Sequence, residues 1–175
     1  MNYGKEKDPL RQWQGKVSRA KGQAFEERLD IACEYYTSKG FANIEKTPEP
    51  MRVIKPYGDR RFGQFIAVYT KKAQPDYKGT LKGGRAIMFE AKYTDSDRIT
   101  KDRVSKEQTD YMDSQYSLGA RCYVIIGYKS GEAYRIPWDV WQRMKEIYGR
   151  KYLKETDVQQ YKIKSAWNAV LMILE

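Results

Sequence analysis

The pattern of apolar residues predicts a long helix near the start of the chain. Five apolar side chains recur at intervals of three and four residues: Phe25, Leu29, Ala32, Cys33 and Tyr36. This spacing places them on one face of an α-helix, and Gly40 ends the pattern, so the predicted helix covers residues 18–39. Residues 1–17 are charged and lack such a face, which predicts a flexible basic N-terminal arm.

Apolar runs farther along the chain predict strands, because turn-forming residues bound each of them. The runs are residues 41–44, 86–92, 121–128 and 132–136. Two more helices are predicted, one capped by Ser105 and running to about Ser117, the other beginning at Pro137. Residues 166–174 are apolar and fit either a short helix or a last strand. This order of elements predicts an α/β fold with a central mixed β-sheet flanked by helices, forming one domain over residues 18–175.

Residues 74–92 predict a β-hairpin on which the chemistry of the chain is concentrated. Pro75 and Asp76 open the hairpin, residues 79–84 supply the turn, and residues 86–92 form the second strand. The second strand is apolar until its last residues, where it becomes charged. The hairpin is therefore expected to lie in the core, with charged groups at one end.

Three charged side chains are predicted to meet at that end. Glu90 and Lys92 lie on one face of the second strand because side chains alternate across a strand, and Asp76 on the partner strand can lie across from them. Two carboxylates and the backbone carbonyl of Ala91 are hard oxygen ligands that suit Mg²⁺, and a lysine beside them can act on an attacking water. The alternative is a hairpin with a merely charged end, since Asp76 and Lys78 match the same Asp/Glu-x-Lys pattern.

Residues 51–74, between the first strand and Asp76, mix basic and aromatic side chains. The candidate DNA contacts in this stretch are Arg52, Lys55, Arg60, Arg61, Phe62, Lys71 and Lys72. Basic side chains can contact phosphates while aromatic rings stack on exposed bases. An ordinary hairpin with a solvated basic face would have the same composition.

The net charge favours a polyanion as the partner. The formal charge is +10 and 14% of the residues are aromatic, which is typical of nucleic-acid binding but does not separate cutting from binding alone. The chain has 0 histidines, which excludes Ser-His-Asp and Cys-His nucleophilic sites, so carboxylates and lysine must carry any catalysis. No stretch is apolar enough to span a membrane, and we expect an intracellular, cytoplasmic protein with free buried thiols at Cys33 and Cys122.

Together these residues carry a family resemblance. Pro75 and Asp76, followed by Glu90, Ala91 and Lys92, resemble the PD-(D/E)xK nuclease signature. A wider set of stretches, in the same order along the chain, is similar to RecU-type Holliday junction resolvases: residues 22–29, 46–50, 76–79, 89–92, 108–112 and 123–126. The resemblance implies a restriction-endonuclease-like core with a protruding basic stalk.

The resemblance also implies roles for single residues. The catalytic set that it implies is Glu26, Asp76, Glu90, Lys92 and Gln108. Asp76, Glu90 and the Ala91 carbonyl would hold Mg²⁺, with Mn²⁺ able to substitute. The implied function is cleavage of branched DNA, the four-way junctions of recombination and repair, by symmetric phosphodiester hydrolysis in a homodimer.

Two other functions fit the same residues. One is a PD-(D/E)xK nuclease that acts on linear duplex DNA, and the other is a junction-binding or architectural protein that does not cut. The basic and aromatic stretch argues against the first. The intact set of Glu26, Asp76, Glu90 and Lys92 argues against the second.

Overall fold

The structure is a computed structural model that describes residues 8–70, 74–166 and 169–175. Its helices are α1 (Pro9–Ser38), α2 (Lys106–Ser117), α3 (Trp138–Gln142) and α4 (Met144–Tyr148). Its strands are β1 (Ala42–Lys46), β2 (Met51–Pro56), β3 (Phe65–Tyr69), β4 (Tyr77–Leu81), β5 (Ala86–Thr94), β6 (Arg98–Thr100), β7 (Arg121–Tyr128), β8 (Ala133–Pro137) and β9 (Tyr152–Lys154). None of the helices in these ranges is long and apolar enough to cross a membrane.

Five strands form the central sheet, in the order β1, β4, β5, β7, β8. β5 and β7 are parallel, whereas the other neighbouring strands are antiparallel. The predicted mixed sheet is therefore confirmed, and so is the predicted hairpin, which forms β4 and β5. The strand that carries Glu90 and Lys92 lies in the middle of this sheet. These two residues pair with β7, whereas the pairing with β4 ends one residue earlier, at Phe89.

Each face of the central sheet has its own core. On the face covered by α1, the core includes Phe25, Leu29, Tyr36, Phe89 and Ile125. On the face covered by α2 and α3, the core includes Met88, Met112, Val124, Ile126 and Trp141. The predicted free thiols are confirmed, since Cys33 is buried in the first core and Cys122 in the second.

The first helix begins earlier than predicted. α1 starts at Pro9, so residues 9–17, predicted as part of a flexible arm, are helical. The Asp8 carboxylate accepts a hydrogen bond from the Leu10 amide at 3.0 Å, and proline is favoured in the first turn of a helix. These two residues start the helix without an apolar stripe, which explains the wrong boundary. The rest of the predicted arm, residues 1–7, lies outside the described residues.

Strands β2 and β3 form a separate two-stranded sheet, here called the stalk. Every residue of β2 is exposed, and in β3 only Ala67 is partly covered. The predicted protruding stalk is therefore part of the fold. Residues 71–73, at the end of the predicted insertion, lie outside the described residues.

The described part of the predicted last element, residues 166 and 169–174, forms neither a helix nor a regular strand, and residues 167–168 lie outside the described residues. An isolated antiparallel bridge joins Ser165 to Leu171. Leu171 and Ile173 pack into the core on the α1 face, and the Leu174 amide donates a hydrogen bond to the Tyr36 hydroxyl at 3.3 Å. The segment therefore closes the core beside the end of α1.

Gly127 lies where α1 approaches β7, and it sets how closely the two can pack. A Cβ atom at this position would lie 2.7 Å from the ring of Phe25. We expect Gly127→Ala to lower the free energy of unfolding by about 1–3 kcal/mol, because α1 must move away. Gly15→Ala, in the open part of α1, is the control and should raise it by about 0.5–1 kcal/mol. Similar effects of the two variants in urea unfolding would contradict this packing.

Candidate active site

The sheet register brings Asp76 and Glu90 to neighbouring positions. Tyr77 of β4 faces Phe89 of β5, so Asp76, the residue before β4, lies opposite Glu90. The Asp76 amide donates to Glu90 Oε2 at 3.2 Å, and Asp76 Oδ2 accepts from the Ala91 amide at 3.0 Å. The predicted position of Asp76 across from Glu90 is confirmed.

Glu90 is buried, and both of its carboxylate oxygens accept hydrogen bonds. Oε1 accepts from the ammonium of Lys92 and from the side-chain amide of Gln108, the latter at 2.6 Å. Oε2 accepts from the backbone amide of Asp76. The side chain of Lys92 stays 18% exposed, whereas that of Glu90 is 0% exposed. The ammonium therefore lies between a buried carboxylate and the surface.

The surroundings of Glu90 disfavour its charged form. Burial raises the pKa of Glu90 to about 7, with Asp76 adding to the rise and Lys92 opposing it. One ammonium therefore does not balance the two carboxylates at this depth. A divalent cation would supply the missing positive charge.

The donor set at this position fits such a cation. Within the described part of the chain, no group of three or more Asp, Glu, Cys and His side chains is placed to hold a metal ion. A site on Asp76 and Glu90 thus has two carboxylates, with the Ala91 carbonyl as a further protein oxygen. That set suits Mg²⁺, which binds proteins through one or two carboxylates and keeps several waters. Mn²⁺ takes the same oxygen ligands.

Helix α2 aims Gln108 at Glu90. The Ser105 hydroxyl accepts from the Gln108 backbone amide at 3.2 Å, and the Gln108 side-chain oxygen accepts from the Ser105 amide at 3.1 Å. This capping box fixes the side-chain oxygen of Gln108 on the backbone, which turns its amide nitrogen toward Glu90. Gln108 therefore caps the helix and orients the carboxylate at the same time.

Glu26 lies beside the α1 face of the sheet, where its carboxylate is 2.6 Å from the ammonium of Lys46. The hydrogen bond to Glu26 raises the pKa of Lys46, and the charges of Asp30 and Asp76 add to that rise. Lys46, which lies opposite the residue that follows Asp76, is therefore the ion-pair partner of the implied helix-one acid. Sequence reasoning missed Lys46, because its position opposite Tyr77 depends on the pairing of β1 with β4.

Tyr77 ties α1 to the start of β4. Its hydroxyl donates to Asp30 Oδ1 at 2.6 Å, and its ring stacks on that of Phe89 with centroids 4.7 Å apart. Because Tyr77 follows Asp76 directly, these contacts also fix the backbone that carries the Asp76 carboxylate.

The candidate DNA contacts of the stalk include two on a single face of the hairpin. Arg52 faces Val68 and Lys55 faces Ile66, and residues directly opposite each other on paired strands share a face. The other face is formed by Met51, Val53, Pro56, Phe65, Ala67 and Tyr69. One face therefore carries both basic side chains beside Ile66 and Val68, and is called the basic face here, whereas the other face is apolar and aromatic.

The tip of the stalk carries further candidates in a short 3-10 turn, Arg60–Phe62. The side chain of Phe62 is 73% exposed, and the guanidinium of Arg61 pairs with Asp59 at 2.6 Å. The remaining two candidates lie outside the described residues: Lys71 and Lys72. The tip thus presents an aromatic ring to solvent.

The fold and the site define a mixed-sheet α/β protein with two carboxylates and a lysine at one buried position. The family model described as Recombination protein U matches residues 20–175. This chain belongs to the RecU family.

Named relatives and a solved structure are similar to the chain. The Holliday junction resolvase RecU of Streptococcus gordonii is 30% identical over 121 residues, which are 67% of this chain and 60% of that protein. The protein of the same name from Bacillus pumilus is 29% identical over 147 residues, 80% of this chain and 70% of that protein. The structure of Archaeoglobus fulgidus Hjc, a Holliday junction resolvase, matches with a TM-score of 0.48 and 14% identity, covering 85% of this chain and 95% of its own.

Proposed function

We propose that this chain is a divalent-metal-dependent endonuclease that resolves four-way DNA junctions. The observation that carries the proposal is the meeting of Asp76, Glu90 and Lys92 at one position of the central sheet. Membership of the RecU family, and relatives named Holliday junction resolvase, support the substrate class. The reaction is hydrolysis of a phosphodiester bond by water, leaving a 5′-phosphate.

Each residue of the site has a distinct task. Asp76, Glu90 and the Ala91 carbonyl hold Mg²⁺, or Mn²⁺ in its place. When bound, the ion lowers the pKa of a bound water and offsets negative charge on the phosphate. The ammonium of Lys92 orients the attacking water and stabilises the charge that develops on the phosphate. Gln108 holds the carboxylate of Glu90 in place through its hydrogen bond of 2.6 Å.

Glu26 belongs to the same site in this proposal. Its support is the ion pair of 2.6 Å with Lys46, because the pKa of that lysine is also raised by Asp76. Glu26 of α1 and Lys46 of β1 therefore form one side of the site in this proposal.

The stalk provides the selectivity for branched DNA. Its basic face carries Arg52 and Lys55, which contact phosphates, and salt should weaken these contacts. Phe62, exposed at the tip, stacks on a base that is unpaired or unstacked at the branch point. The other basic candidates of this stretch are Arg60, Arg61, Lys71 and Lys72.

The active form is a homodimer. A four-way junction has two strands that must be cut symmetrically, and each chain contributes one site. A dimer with twofold symmetry matches the symmetry of that substrate.

The double variant Arg61→Ala, Phe62→Ala tests the substrate class. We expect its preference for a four-way junction over a linear duplex of the same sequence to fall by about tenfold, because a stacking contact contributes about 1–3 kcal/mol. Tyr116→Ala, at an aromatic residue of α2 that is 46% exposed, is the control. Equal cutting of both DNAs by the wild type would refute junction selectivity. Junction binding without cutting would instead identify a DNA-binding protein that is not an enzyme.

Gln108→Leu tests how the site is held. We expect the single-turnover cleavage rate to fall by about tenfold or more, because loss of a group that orients a metal ligand has effects of this size. Ser105→Ala is the control, since it removes the hydroxyl that caps α2 but leaves the amide of Gln108. It should cost about 1 kcal/mol of stability with little change in rate. Equal rate losses in the two variants would show that Gln108 acts only as a cap.

A further inference from the structure

A row of side chains on one face of the sheet extends beyond Asp76 to Thr47. Lys46 faces Tyr77 in the pairing of β1 with β4, and the Thr47 amide donates to the Asp76 carbonyl at 2.7 Å. The ladder therefore continues by one pair, with Thr47 opposite Asp76. Opposite residues share a face, so Thr47, Asp76 and Glu90 form one row across three neighbouring chain segments.

The hydroxyl of Thr47 is buried without a partner. The residue is 7% exposed, and within the described part of the chain its Oγ1 has no hydrogen-bond partner. Buried polar atoms in native proteins are nearly always hydrogen-bonded, and an unpaired one is destabilising. The orphaned hydroxyl lies in the same row as the two carboxylates of the site.

The backbone does not account for the hydroxyl. Thr47 precedes Pro48, and the residue before a proline is restricted to extended conformations that β-branched residues adopt readily. Valine would meet that requirement without burying a polar atom. The contacts of the folded chain therefore do not explain why a hydroxyl is buried at this position.

We propose that Thr47 is a positioning residue of the active site, whose hydroxyl gains its partner from the water shell of the bound divalent ion. This inference rests on the proposed metal site at Asp76 and Glu90. A hydroxyl can donate one hydrogen bond and accept two, and Mg²⁺ keeps several of its waters in protein sites. Thr47 thus holds a water beside Asp76 without touching the metal.

The test uses the full chain and Mn²⁺ alone, without DNA. Thr47→Val removes the hydroxyl and keeps the shape of the side chain, whereas Thr47→Ser keeps the hydroxyl. We expect calorimetry to give about tenfold weaker Mn²⁺ binding for Thr47→Val, which is the smallest loss of affinity expected when a group that supports a metal ligand is removed. Thr47→Ser should bind Mn²⁺ with an affinity near that of the wild type. In EDTA, the unfolding midpoint of Thr47→Val should equal or exceed that of the wild type.

Thr94→Val is the matched control for stability. Thr94 is 8% exposed, but its hydroxyl donates to the Arg98 carbonyl at 3.2 Å and accepts from the Ser96 amide at 3.1 Å. Its replacement should lower the midpoint in EDTA. If Thr47→Val lowers that midpoint as much, or fails to fold, the hydroxyl is structural and the inference is wrong.

Asp76→Asn distinguishes a failure of the proposed metal site from a failure of the proposed role of Thr47. If Asp76→Asn binds Mn²⁺ as tightly as the wild type, the metal site itself is wrong. If Asp76→Asn loses binding while Thr47→Val keeps it in full, the metal site stands and only the role of Thr47 is refuted.

Discussion

Asp76→Asn is expected to lower the rate of junction cleavage by about a thousandfold, equivalent to about 4 kcal/mol, because one of the two carboxylates proposed to bind the metal loses its charge. Asparagine has nearly the same shape, and its side-chain oxygen can still accept the hydrogen bond from the Ala91 amide, which is 3.0 Å long in the native chain. The hairpin should therefore keep its register. Single-turnover cleavage in Mg²⁺ measures the loss, and a gel-shift assay in Ca²⁺ should show junction binding like that of the wild type.

Asp110→Asn is the control for this loss. Asp110 pairs with Lys106 on the exposed side of α2 at 2.6 Å, so the substitution changes the net charge by the same amount away from the site. We expect cleavage within about twofold of the wild type, since exposed ion pairs contribute little. Similar losses in the two variants would mean that charge in general, and not the carboxylate of Asp76, controls the rate.

Lys92→Met is expected to lower the cleavage rate by about a hundredfold to a thousandfold, with junction binding retained. Methionine has a similar length but lacks the ammonium that contacts Glu90 and that would face the attacking water. The change also leaves Glu90 without its nearby cation, so Mn²⁺ binding should be measured on the same preparation. If Lys92→Met cleaves at the wild-type rate at saturating metal, Lys92 has no role in the mechanism.

Lys78→Met is the matched control for Lys92. Lys78 completes the competing Asp-x-Lys pattern with Asp76, but its ammonium bonds to the Gln74 side chain at 2.8 Å on the exposed surface. We expect Lys78→Met to cleave at nearly the wild-type rate. If Lys78→Met lowers the cleavage rate as much as Lys92→Met does, the interpretation of Glu90-Ala91-Lys92 as the functional half of the signature is contradicted.

The hairpin and its polar end could be predicted because their signals are local. Strand alternation alone places Glu90 and Lys92 on one face, and the turn between β4 and β5 folds Asp76 back to them. The cap at Ser105 is also a local signal, and the glutamine three residues later completes a capping box. These features need neither a partner element nor a sheet order.

Other features depend on contacts between distant parts of the chain. The link from Glu26 to Lys46 requires α1 to lie over β1, and the row from Thr47 to Glu90 requires the registers of two strand pairs. No spacing in the sequence contains these relations. The early start of α1 is different: the signal at Asp8 and Pro9 was present, but the apolar pattern that guided the prediction begins only later.

The most direct measurement of the central claim is cleavage of a four-way junction labelled on each strand in turn, with Mg²⁺, by the wild type and Asp76→Asn. The account predicts paired nicks at symmetric positions near the branch point, which require the metal and are lost in the variant. Nicks that persist in Asp76→Asn, or an intact junction in the presence of bound wild-type protein, would contradict it.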